Sequence, residues 1–168
     1  MKEIHSNNKA FEDMVTCFPE LTLPVLEVRA EENILAINSE VSRESFYMNI
    51  WAGIYLDLNV VSVHVFFPHE VPGNKLQVLR DLIEESNKHQ MIAPLQLSEQ
   101  TEEIVVRTAM PLSGEHLDKY AFKVALKELM CTACMFYEFI LKKKLKGLPE
   151  EKKKEQFLGS KCDFCPMK

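Results

Sequence analysis

At 168 residues, 46% hydrophobic and 27% charged, the chain has the size and make-up of one globular domain with a real core. Its longest apolar run, residues 60–67, is far too short to span a bilayer, and Met1-Lys2-Glu3-Ile4-His5 lacks the apolar core of a signal peptide. The net charge of −5 combines an acidic body (17 acidic against 8 basic side chains through Met110, net −9) with a basic end (8 against 12 from Pro111 on, net +4), and an acidic body speaks against binding phosphate backbones.

In chain order, residues 7–18 read as a first helix, with Phe11, Met14, Val15 and Phe18 on one side. Pro19 and Pro24 bracket a loop. Two short strands follow. In residues 25–30, Leu26 and Val28 alternate with Glu27 and Arg29; residues 33–38 are strand-competent, with Glu31-Glu32 turning the chain between them. Residues 46–56 are the clearest strand. Phe46, Met48, Ile50, Ala52, Ile54 and Leu56 form a core face, and Tyr47, Asn49, Trp51, Gly53 and Tyr55 lie opposite. After a turn at Asp57-Leu58-Asn59, Val61, Val63, Val65 and Phe67 continue the core face, with Ser62 and His64 on the other side. Pro68 ends that run. Asn74 then caps a second helix, 75–88, which buries Leu76, Leu79, Leu82 and Ile83. Leu95 and Leu97 pair with Ile104, Val106, Thr108 and Met110 across a hairpin at 98–102. A long helix, 115–146, closes the body. Ser113 offers its cap and Glu115 an anion in its first turn, while Phe122, Leu126, Leu129, Ala133, Phe136 and Ile140 make its stripe. It would span roughly 45 Å. Lys142, Lys143, Lys144 and Lys146 suit its C-terminal dipole, and Gly147 with Pro149 stops it.

The expectation is an α+β fold in the order α-β-β-β(-β)-α-β-β-α. A twisted antiparallel sheet has helices packed on one face, and the second helix crosses an edge or joins a dimer interface. Residues 1–146 form the domain; 147–168 are a lysine- and cysteine-containing tail, with Phe157-Leu158 and Phe164 as isolated apolar residues.

Chemistry is sparse. Cys131-Thr-Ala-Cys134 and Cys162-Asp-Phe-Cys165 are two CxxC pairs with 27 residues between them. Four thiolates can hold zinc tetrahedrally, which keeps a zinc-binding regulatory protein open. The first pair, however, lies within an apolar helix, where cysteine serves as a small hydrophobe. Neither pair opens a helix after a strand, as a redox CxxC does. Five cysteines without a secretion signal point to reduced thiols and a cytoplasmic setting. The histidines (His5, His64, His69, His89 and His116) lack HxH, HxxxH or HExxH spacing. No GxSxG, P-loop or GxGxxG occurs, and only five glycines are present, so a phosphate-cradling loop is hard to build. An enzyme would need a site near His64 and His69. Tyr47, Trp51 and Tyr55 form a stripe along one strand, in steps of about 14 Å. Either a helix or the tail covers it, or it is a partner or self-association surface.

The succession of elements resembles the type III secretion chaperone-like fold, and within it the YbjN-type family, over residues 47–140. The hairpin ending in Val63-His64-Val65-Phe66-Phe67-Pro68 leads into Leu76-Gln77-Val78-Leu79-Arg80-Asp81-Leu82-Ile83. Pro94-Leu95-Gln96-Leu97 then pairs with Ile104-Val105-Val106-Arg107 before the final helix. This chain carries one more strand before the second helix than the simplest form of that fold, and adds the tail. The resemblance implies a homodimer without catalytic activity that engages a protein chain or another partner; it assigns no site residues. The expected protein is therefore a non-enzymatic interaction or chaperone-like protein with no cofactor. It is expected to be a homodimer with a protein or peptide partner and no nucleic acid or membrane.

Overall fold

The computed structural model describes residues 8–43, 46–67, 75–88, 93–98 and 103–137. The first helix is Lys9–Glu20 (α1). Asn8 caps it, its side-chain oxygen accepting from the Phe11 N–H at 2.9 Å. The helix therefore starts and ends two residues later than the apolar pattern suggests, and Pro19 lies inside its last turn rather than in a loop. A proline there removes only one helical hydrogen bond. The end is closed instead by Leu23 N–H to Phe18 O (2.9 Å) and Thr22 N–H to Pro19 O (2.9 Å). This is a Schellman-type cap with Thr22 in the left-handed region at φ 56°. Leu23 and Phe18, both buried, supply its apolar contact.

Glu27–Ala30 (β1) turns at Glu31, whose N–H donates to Ile34 O at 2.8 Å, into Ile34–Arg43 (β2). The periodicity ends this second strand at Asn38. It runs five residues further because Phe46–Tyr55 (β3) pairs with all of it, from Ile34↔Tyr55 to Arg43↔Phe46. Ladder pairing thus overrides the poor strand propensity of Asn38, Ser39, Glu40 and Ser42. β3 ends at Tyr55, so Leu56 leaves the expected core face and is 40% exposed in the turn that Asn59 closes at φ 52°. Val60–Phe66 (β4) follows, then Leu76–Asn87 (α2), Leu95–Leu97 (β5), Ile104–Pro111 (β6) and Lys119–Met135 (α3). Leu79 and Ile83 of α2 are buried, while Leu76 and Leu82 are half-buried. The side chain of Asn87 and the main chain of Leu95 clamp α2 to β5: Leu95 N–H donates to Asn87 Oδ1, and Asn87 Nδ2 donates to Leu95 O, both at 2.8 Å.

The final helix begins later than Ser113 suggests. Ser113 and His116 exchange main-chain hydrogen bonds (3.1 and 3.3 Å) around Gly114 at φ 64°, a tight turn that excludes helix there. Asp118 is the cap, accepting from Ala121 N–H at 2.9 Å, and Glu115 lies outside the helix. Phe122, Leu126, Leu129, Ala133 and Phe136 are all buried as the stripe requires. Expectations for Asn74, Pro68, the 99–102 turn, Ile140, the lysine run, the side chain of Phe46 and residues 147–168 lie outside the described residues.

The six strands form one antiparallel sheet in the order β1-β2-β3-β4-β6-β5. One face packs its alternate residues (Ile37, Ile50, Ala52, Ile54, Val63, Val65, Val106) beneath α1 and α3. The two helices meet through Phe18 and Phe122, ring centroids 6.3 Å apart, and through Glu20, which pairs with Lys123 at 2.8 Å and Lys119 at 3.8 Å. α2 packs against the edge strand β5. Ser39, on the helix-covered face and 2% exposed, has a hydroxyl with no hydrogen-bond partner among the described residues.

Candidate interaction surface

The opposite face of the sheet is not covered by α1 or α3. Register places side chains on it in rows across the strands. Asn38, Trp51, His64 and Arg107 are direct neighbours on β2, β3, β4 and β6; Glu40, Asn49, Phe66 and Val105 make the adjoining row. Gly53 makes the arrangement possible. Trp51 lies flat over it: a Cβ added to Gly53 would fall inside the indole, 2.5 Å from Cζ2 and closer still to Cη2. With only hydrogen at that position, the ring folds down along the strand and meets Tyr55 at 6.1 Å, tilted by 59°. On its other side it meets His64 edge-on at 5.2 Å and 90°. His64 in turn stacks on Phe66 at 5.9 Å and 21°. Four rings thus form one connected, half-buried layer. Edge and face contacts of this kind are each worth about 0.5–1.5 kcal/mol beyond area burial.

Beside the layer is an open groove of about 480 Å³. Trp51, Tyr55, His64 and Phe66 supply its aromatic wall, Asn38 and Asn49 its amides, and Leu26, 49% exposed, its far rim. Asn38 Nδ2 donates to Glu27 at 2.9 Å, and Arg29 pairs with the same carboxylate at 2.9 Å. The Arg29 contact, and then the Asn38 one, hold Glu27 below the usual carboxylate range. Charge at this corner is thus internally balanced.

His64 is the one imidazole in the layer. Burial, and secondly the Arg107 guanidinium on the neighbouring strand, hold its pKa below the ordinary 6.5. Its Nε2 lies 2.8 Å from Ser62 Oγ, and Ser62 Oγ donates to Thr108 O at 3.3 Å. A serine hydroxyl has one proton. Directed at Thr108 O, it leaves Ser62 to accept from the His64 Nε2–H; directed at Nε2, it makes that nitrogen the acceptor, so the roles follow the ring's tautomer. In either arrangement the contact holds the half-buried ring against the buried Ser62 hydroxyl.

Of the residues singled out in the sequence, Trp51 and Tyr55 line the groove, while Tyr47 shares the face but lies outside it. Leu26, Asn38, Asn49, His64 and Phe66 join them. Phe66 was within reach of the same alternation that puts Ser62 and His64 opposite the core. The Trp51–His64 contact was not, because it depends on cross-strand register. Cys131 is half-buried and Cys134 buried on α3; Cys162, Cys165 and His69 lie outside the described residues. Among the described residues no group of three or more His, Cys, Asp or Glu side chains is placed to hold a metal ion. Nor is any helix among them long and apolar enough to cross a membrane.

Comparison with family models, with curated proteins and with solved structures finds no match for this chain.

Proposed function

We propose that this is a non-enzymatic, chaperone-like interaction protein that works as a homodimer in the cytoplasm and engages protein chains through the uncovered sheet face around Trp51. The observation that carries the reading is the connected layer of Trp51, Tyr55, His64 and Phe66, held half-exposed beside an apolar groove. Trp and Tyr are the residues whose burial contributes most at protein interfaces, and rigid rings lose little entropy on contact. The succession of helices and strands, which resembles the chaperone-like fold, agrees with this role. The groove's lining supports binding rather than catalysis: its polar residues are Asn38, Asn49, Ser39, Tyr55 and His64, with no carboxylate or thiol among them.

The test is suppression of light scattering by a reduced, unfolded client such as α-lactalbumin. The wild-type protein delays aggregation at near-equimolar amounts, and Trp51→Ala and Phe66→Ala shorten the delay. A wild-type protein without effect sinks the chaperone-like reading. Full activity in both variants moves the binding surface elsewhere.

A further inference from the structure

His64 is the one member of the aromatic layer that can gain a charge near neutral pH. Its ring supplies part of the groove wall, between the edge contact with Trp51 at 5.2 Å and the stack on Phe66 at 5.9 Å. It is half-buried, so part of the ring still faces water. Nε2 meets Ser62 Oγ at 2.8 Å, and among the described residues the other ring nitrogen has no hydrogen-bond partner. A neutral ring has one N–H to satisfy; an imidazolium has two, and a charge.

The described surroundings offer that charge no counter-ion. Arg107 of β6 stands directly opposite His64, and Glu103 lies just before the start of β6. β3 contributes Asn49, Trp51 and Tyr55, with no acid or base beyond a phenol, and β4 itself contributes Ser62 and Phe66. Glu40 on β2 is two strands away and Glu27 on β1 three, roughly 10 and 14 Å across the sheet. Glu27 is already engaged by Arg29 and Asn38. Of these charges only Arg107 acts on the ring, and both it and burial, the larger effect, oppose a proton there.

We propose that His64 makes this face acid-sensitive: a proton on its ring and an apolar chain lying over it exclude one another. In the free protein, an imidazolium at this position relies on the water that still reaches it. An apolar chain seated in the groove removes that water and leaves the second N–H and the charge without partners. The client therefore takes the neutral ring. By linkage, its affinity falls as pH drops below the His64 pKa, by at most about tenfold per pH unit because one proton is involved. Acid then releases the client from a sheet that stays folded. The inference rests on the uncovered face being the binding surface, as in the proposed function, but not on chaperone activity or on the homodimer.

The test titrates Nile red, an uncharged apolar dye, into the full chain between about pH 7.5 and 5, over the range in which far-UV circular dichroism is constant. In the wild type the dissociation constant rises about threefold or more toward acid. It stays flat in His64→Gln, which keeps His5, His69, His89 and His116. In Arg107→Gln, a change at an exposed side chain, the rise begins at higher pH. Trp51→Ala weakens the dye at neutral pH, which places it in the groove. A flat wild-type curve, an equal rise in His64→Gln, or an Arg107→Gln curve that coincides with the wild type overturns the inference alone. A dye that binds at no pH, or binds Trp51→Ala as well as the wild type, overturns the binding surface and this inference with it. His64-dependent dye binding in a protein that does not delay client aggregation overturns the chaperone-like reading and leaves the acid-sensitive face standing.

Discussion

Gly53→Ala is the sharpest perturbation of the aromatic layer. On an ordinary strand the change gains about 0.5–1 kcal/mol, because glycine loses most entropy on folding. Here the new methyl would occupy the space of the Trp51 ring. The strand backbone is held on both sides by β2 and β4, so the indole is what moves. Lifting it breaks the contacts with Tyr55 and His64, each about 0.5–1.5 kcal/mol, or about 1–3 kcal/mol together. The net cost is then about 0–2.5 kcal/mol. Trp51 is the chain's one tryptophan, so intrinsic fluorescence reads its environment directly. The expected result is a red-shifted emission in Gly53→Ala together with a lower urea midpoint. The decisive comparison is a double-mutant cycle: in a Trp51→Ala background the same glycine substitution becomes neutral or stabilising, a coupling of at least about 1 kcal/mol. An equal cost in both backgrounds, with unshifted emission, would refute the packing of the indole on Gly53.

Four further outcomes follow from single features. His64 has a folded pKa below 6.5, so the unfolded chain takes up the proton first and stability falls as pH drops through 6.5 toward the lower folded value. An NMR titration should place His64 below an ordinary histidine and move it upward in Arg107→Gln; a titration at or above the ordinary value contradicts the burial described. Asn87→Ala removes both hydrogen bonds of the α2–β5 clamp and should cost about 1–3 kcal/mol in urea unfolding; less than about 0.5 kcal/mol would show the clamp is not a stabilising contact. Ser39→Ala removes a buried hydroxyl that has no partner among the described residues and should raise stability by about 1 kcal/mol, and a loss would mean that the hydroxyl is hydrogen-bonded. Thr22→Gly relieves a β-branched residue at φ 56° and should raise the thermal midpoint by the equivalent of about 0.5–1 kcal/mol, whereas a fall would mean that the threonine side chain contributes more than its strain.

The legible part of the fold was the part written in period. Alternation separated the covered face from the open one from Met48 to Tyr55 in β3 and from Val61 to Val65 in β4, though it wrongly carried Leu56 onto the core face, and the 3–4 spacing from Phe122 to Phe136 marked the buried side of α3. Boundaries set by partners were not legible. β2 outruns its apolar pattern because β3 pairs with it, and the start of α3 shifts from Ser113 to Asp118 because Gly114 turns the chain first. The surface was half legible for the same reason. Trp51 and Tyr55 share a strand, so their spacing shows in the sequence. His64 and Phe66 reach Trp51 only across a ladder whose register no local motif records, and the flat seat on Gly53 is a consequence of side-chain direction.

The strand order also dictates how the chain finds its fold. Strands β1 to β4 are consecutive in the chain and neighbours in the sheet, so that four of its six strands close through local contacts. β6 must instead reach β4 over an excursion of 38 residues between Phe66 and Val105, and β5 can pair only once β6 is in place. Loop-closure entropy makes that docking the late step. Truncations in β3, such as Ile50→Val, should therefore slow folding. Truncations in β5, such as Leu95→Ala, should chiefly accelerate unfolding. A nascent chain that has emerged only as far as β4 would then hold a four-stranded meander whose helix-covered face still waits for α3.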